Sequence, residues 1–77
     1  TIIKYALPSQ SRVTVKVYNL AGEMIRELFN GNESAGYHDI TVSSTGLASG
    51  IYFYVIDASA ESGGKNFREV KKMVLMK

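Results

Sequence analysis

His38 is the only histidine in the chain, and there is no cysteine. Those two counts set narrow limits on chemistry. A zinc site draws its ligands mostly from cysteine and histidine, and no second histidine stands at helical or loop spacing from the first. Serine, histidine and aspartate are all present, so the residue types of a nucleophilic triad exist. No Gly-x-Ser-x-Gly elbow is there to expose a serine, and 77 residues leave little room for a substrate cleft. Calcium loops of the Asp-x-Asp-x-Asp-Gly type are missing. The expectation is no catalytic residue, no metal site and no cofactor. Asn32-Glu33-Ser34 fits the glycosylation acceptor pattern, but so short a pattern arises by chance often enough to carry nothing alone.

Recognition is the chemistry left. Residues 1–64 carry four basic side chains (Lys4, Arg12, Lys16, Arg26) and six acidic ones. Residues 65–77 carry Lys65, Arg68, Lys71, Lys72 and Lys77 against Glu69 alone, a positive stripe hidden in a net charge of +2. Such a stripe can meet phosphates. More often, lysines on a terminal strand keep an open edge from pairing with other chains. No platform of aromatic and basic residues accompanies it, so nucleic acid is not the expected partner. Tyr18, Tyr37 and Phe53 alternate away from the inferred interior, and rings in line could stack on sugars. A polysaccharide is thus a rival ligand, with cross-strand packing or contact with a neighbouring domain as the plainer role.

These side chains must be positioned by strands. Ile3, Tyr5 and Leu7 alternate with Lys4 and Ala6, and Val13, Val15 and Val17 alternate with Arg12, Thr14 and Lys16. Period two marks half-buried strands. Pro8 ends the first, because proline cannot donate to a ladder. Leu20-Ala21-Gly22-Glu23 reads as a tight turn. Met24 to Phe29 also fits one helical face, yet so short a segment between turns is marginal as a helix, and a strand is expected. Asn30 to Gly36 reads as a loop. Tyr37 to Ser43 alternates again, with His38, Ile40 and Val42 on one face, so His38 is expected at the core or its rim. Ala58 to Asn66 reads as a hairpin loop and Phe67 to Met76 as the last strand.

Gly46-Leu47-Ala48-Ser49-Gly50 leads into Ile51-Tyr52-Phe53-Tyr54-Val55-Ile56, the most β-forming run of the chain. A strand apolar on both faces belongs in the middle of its sheet. Leu47 is expected to plug the end of the core, and Gly50 to let the chain turn sharply into the strand. The Tyr52 hydroxyl is expected to bond a backbone group near Gly46 or Leu47, in the manner of a tyrosine corner. The expected sheets are 1–7, 12–19 and 37–43 in one layer and 23–30, 51–58 and 66–76 in the other. The expected core is Ile3, Tyr5, Val13, Val15, Val17, Ile40, Leu47, Tyr52, Tyr54, Ile56 and Leu75. Six strands without a helix predict an all-β antiparallel sandwich. No apolar run approaches the roughly 20 residues that span a bilayer as a helix, so membrane insertion is not expected.

Five segments carry a family likeness: Leu7-Pro8, Val15 to Glu23, Ser34 to His38, Gly46 to Tyr54 and Lys71 to Lys77. Their order and spacing resemble the immunoglobulin-like C-terminal domain shared by type IX secretion sorting domains and the immunoglobulin-like domain of flagellar hook-capping proteins. The likeness covers essentially the whole chain. It implies an immunoglobulin-like (fibronectin III-like) β-sandwich of six to seven strands. It implies a single domain, residues 1–77, excised from a larger secreted or surface-anchored bacterial protein, often a hydrolase. It implies a non-catalytic sorting or accessory module whose partners are a secretion machinery or an upstream domain of the same chain. Lys71, Lys72, Val74 and Lys77 would then lie on the terminal strand that the machinery recognises. The remaining alternatives are a carbohydrate-binding module and a structural spacer.

Overall fold

A computed structural model of the chain describes residues 2–43, 45–61 and 66–76. Six strands follow one another: β1 (Ile2–Leu7), β2 (Ser11–Tyr18), β3 (Met24–Glu33), β4 (Gly36–Thr41), β5 (Gly50–Ala60) and β6 (Phe67–Leu75). They form two antiparallel layers, a four-stranded sheet in the order β3-β2-β5-β6 and a two-stranded sheet of β1 and β4. The architecture is an immunoglobulin-like β-sandwich.

The valines of β2 explain why this strand lies in the middle of the larger sheet. Val13, Val15 and Val17 are completely buried. In register across from them stand Ala58, Ile56 and Tyr54 of β5, so both strands send the same set of side chains inward. Ile3, Tyr5 and Leu7 of β1 close over that face, with Met73 and Leu75 of β6 completing the core. The expected placement of 12–19 beside 1–7 is therefore corrected. β2 pairs with β3 and β5, and β1 pairs only with β4. Alternation reports which face a side chain takes but not which strand is its neighbour. Of the expected core, Ile40 and Tyr54 are only partly buried, and the other nine are buried as expected.

Residues 24–29 are strand, as expected, but β3 continues through Asn30-Gly31-Asn32-Glu33, where a loop was expected. These four residues pair with Thr14, Val13, Arg12 and Ser11. The Phe29 ring lies over Gly31, 3.4 Å from where a Cβ would stand, and so covers a glycine of the expected loop. Two register shifts interrupt the β2–β3 pairing, at Val15/Lys16 and Val17/Tyr18. The β5–β6 register runs from Gly50↔Leu75 to Ala58↔Phe67 without a shift. One edge of the larger sheet is therefore bulged and the other regular.

Candidate recognition site

The corner before β5 fixes one end of the sandwich. Leu47 is buried within the core cluster. Gly50 opens β5 at φ +156, a setting that side chains with a Cβ rarely adopt. Tyr52 is 8% exposed, and its hydroxyl donates to the Ala48 carbonyl oxygen at 2.7 Å. The bond spans four residues and ties the corner to the strand it feeds. The acceptor is one residue beyond Leu47, the nearer of the two expected positions. A buried phenol needs such a partner, and the corner supplies it from its own backbone.

From this corner β5 carries two sets of side chains. Tyr52, Tyr54, Ile56 and Ala58 face β1 and β4. Ile51, Phe53, Val55 and Asp57 face away from the other layer. On that outer face the register builds rows across the sheet. Met24, Tyr18, Phe53 and Lys72 make one; Glu27, Lys16, Val55 and Val70 the next; Asn30, Thr14, Asp57 and Arg68 a third. Val55 is buried although nothing from the second layer covers it. Its neighbours on the same face shield it. The β2–β3 turn closes beside them, with Asn19 accepting from the Glu23 backbone N–H at 3.0 Å and leaving Leu20 exposed.

The residues expected for export recognition fall on different sides of β6. Lys72 and Val74 share the outer face with Arg68 and Val70. Lys71 points to the inner side, at the open flank, where its ammonium meets Glu69 at 3.1 Å. The hydrogen bond that the Lys71 ammonium donates to Glu69, and then the charge of Glu69, hold that ammonium above its ordinary pKa. Lys72 makes no ion pair with any described residue, and Lys77 lies outside the described residues. The terminal strand is also structural. Met73 and Leu75 are buried, so β6 recognises nothing without first being part of the core.

The other chemistry-bearing residues are structural in their surroundings. His38 lies half-buried at the rim of the core, stacked on the Tyr5 ring at 5.5 Å. Its Nδ1 is 3.1 Å from a Glu33 carboxylate oxygen and its Nε2 is 2.7 Å from the Ser34 carbonyl oxygen. Both ring nitrogens serve to hold the β3–β4 connection. Burial, and then the negative charge of Glu33, raise the Tyr5 phenol above its ordinary value. Among the described residues no cluster of three acidic or histidine side chains is placed to hold a metal ion. Tyr37 is 92% exposed on the outside of β4, whereas Tyr18 and Phe53 pair on the outside of the larger sheet. Tyr37 thus lies on the layer opposite Tyr18 and Phe53, and the three rings do not share one line.

Comparison with protein-family models decides the family. The model for a secretion system C-terminal sorting domain matches residues 1–75. The chain belongs to this family, that of type IX secretion sorting domains. No curated protein and no solved structure matches it. A sorting domain is a non-catalytic module that is met by a secretion machinery, and it marks its protein as secreted or displayed at the cell surface. The residues expected for recognition lie on the terminal strand. Val70 of the same strand and Leu20, in the turn beside it, adjoin Lys72 on the exposed outer side of the larger sheet. The signal for that side was in β5, where Phe53 and Val55 are apolar on the side facing away from the core.

Proposed function

We propose that this chain is a non-catalytic C-terminal sorting module of a larger secreted or surface-anchored bacterial protein, read by the export machinery at the free edge of β6. The observation that carries this reading is the contrast between the two edges of the larger sheet. β3 is broken by two bulges, which blunt an edge against pairing. β6 is nine residues long, regular in register and paired on one side only. A receptor strand can add to such an edge through main-chain hydrogen bonds and take specificity from alternate side chains. Lys71, Lys72, Val74 and Lys77 supply those side chains, with the positive charge that an acidic receptor strand would match. The 77 residues act as one domain, and the parent protein, a hydrolase in the family's common pattern, performs whatever chemistry there is.

The test is export of a reporter enzyme carrying this chain at its C-terminus, in a bacterium with a type IX system. Deleting residues 71–77 is a poor probe, because it removes Met73 and Leu75 from the core. Val74→Asp and Lys72→Glu change exposed positions and leave those residues in place. Export of the unaltered fusion and its loss in both variants is the expected result. A fusion that stays in the periplasm would reduce the module to a spacer. Retention on insoluble polysaccharide, abolished by Tyr18→Ala or Tyr37→Ala, would instead support the carbohydrate reading, which the opposite placement of those rings disfavours.

A further inference from the structure

The outer face of the larger sheet is more apolar than a free surface requires. Leu20, Met24, Ile51, Val70 and Val74 are all large, exposed and on this face or the turn beside it. Tyr18, Leu20, Phe53, Val55 and Val70, with Arg68 at one end, line a groove of about 320 Å³. Contiguous apolar surface of this kind marks an interaction site, whereas scattered single residues do not. The charges say what fits. Asp57 is taken by Arg68 at 3.7 Å, Glu23 is bonded by the Asn19 side chain at 3.3 Å, and Glu27 stands opposite Lys16 in register. Lys72, beside Phe53 and between Val70 and Val74, has no acidic partner among the described residues. A second copy could offer Lys72 only Glu27, which faces the chain's own Lys16 in register, or Glu23, which is held by Asn19, while its own Lys72 would add a like charge to the contact.

We propose that this face, from the Leu20 turn across Phe53 and Val70 to Lys72, docks a protein of the export machinery that presents an apolar surface bearing a carboxylate. The proposal rests on the sorting reading and extends it: the reader holds a face of the sheet as well as its edge. Lys72 pairs with the partner's carboxylate, and the groove takes an apolar side chain between the turn and β6. Exclusion of water by the surrounding apolar residues strengthens that ion pair.

The experiment places the photo-crosslinker p-benzoylphenylalanine at Val70 of the reporter fusion, in cells with a type IX system, and measures crosslinking and export together. The expected result is an adduct with one envelope protein, whose linked peptide carries a carboxylate flanked by apolar residues. Its yield falls about thirtyfold or more with Lys72→Glu, the change expected from losing one buried charge pair, and comparably with Leu20→Asp. Crosslinker at Tyr37, on the opposite layer, gives no such adduct. Circular dichroism melting of each variant chain confirms that it is folded. An adduct with a second copy or with lipid overturns the proposal. So does a yield unmoved by Lys72→Glu and Leu20→Asp, or export without any adduct at Val70, which leaves the edge reading standing. Absence of export from the unaltered fusion sinks both readings.

Discussion

Tyr52→Phe isolates one hydrogen bond. The substitution keeps the ring and its packing beside Leu47 and removes only the hydroxyl that donates to Ala48. A net contribution of about 0.5–1.5 kcal/mol is normal for such a bond. Ala48 itself is exposed, so its carbonyl can turn to water once the donor has gone, which keeps the loss near the middle of that range, about 1 kcal/mol. For a domain of this length that lowers the melting temperature by roughly 4–8 °C. Urea unfolding should show a lower midpoint with an unchanged slope, since the surface exposed on unfolding is the same. Tyr54→Phe is the matched control. Its ring is partly buried on the same face of β5, but its hydroxyl bonds no described residue, so a change within a few tenths of a kcal/mol is expected. Equal small losses for the two substitutions would refute the corner as a source of stability. Tyr52→Ala should cost about 3–5 kcal/mol, because it removes a core ring as well as the bond.

Arg26 donates through Nη1 to Ser43 O at 3.0 Å and through Nη2 to Thr45 O at 2.8 Å, tying β3 to the connection between β4 and β5. Arg26→Lys loses the fork that reaches both carbonyls; because the site is exposed, the cost should be about 0.5–1 kcal/mol, with faster amide exchange around the corner. Gly22 sits at φ +84 with open space around its Cα, so Gly22→Ala should cost about 1–2 kcal/mol from backbone strain alone, read by urea unfolding, and a neutral result would argue against the turn geometry. Tyr5 has a phenol raised above its ordinary 10.0 by burial first and Glu33 second. A folded-state value raised above the unfolded one contributes stability that is complete below about pH 10 and is lost as pH rises through the raised value. Unfolding midpoints should therefore fall on the alkaline side, and Tyr5→Phe should flatten that limb.

The sequence displays faces far better than neighbours. The alternation of Val13, Val15 and Val17 told which way β2 points, and the three are indeed sealed. It carried no information on whether β1 or β5 lies beside them, because any strand with a matching apolar face would bury them. That choice is made by pairing between residues more than forty positions apart, such as Val15 with Ile56. The expected loop at Asn30 to Gly36 gave way to strand through Glu33 for a similar reason, since the ring that covers Gly31 belongs to a residue two positions away and acts only once the strand has formed. The tyrosine corner was legible to within one residue, because it spans only Ala48 to Tyr52 and depends on local geometry. The outer groove was half legible. Phe53 and Val55 announced a second apolar face on β5, while Leu20 and Val70 join it only through the sheet order.

The two faces of the larger sheet answer opposite demands with the same strands. Inward residues of β5 and β6 must be apolar to give a cysteine-free domain of this size its stability, since no disulfide can supplement the core. Outward residues are under no such demand, so apolar side chains there cost solubility without adding to the interior. A spacer would carry polar residues at Phe53, Val70 and Val74, as it does at Thr14, Asp57 and Ser59 on the same face farther along β2 and β5. The apolar residues instead gather at the end nearest the corner and the last residues of β6, around Lys72, which forms an ion pair with no described residue. Self-association through this face would bring a second Lys72 into the contact, and the bulges of β3 blunt the far edge. A partner able to supply the missing carboxylate meets no such opposition. Charge thus selects the partner, and the apolar surface gives the contact its strength.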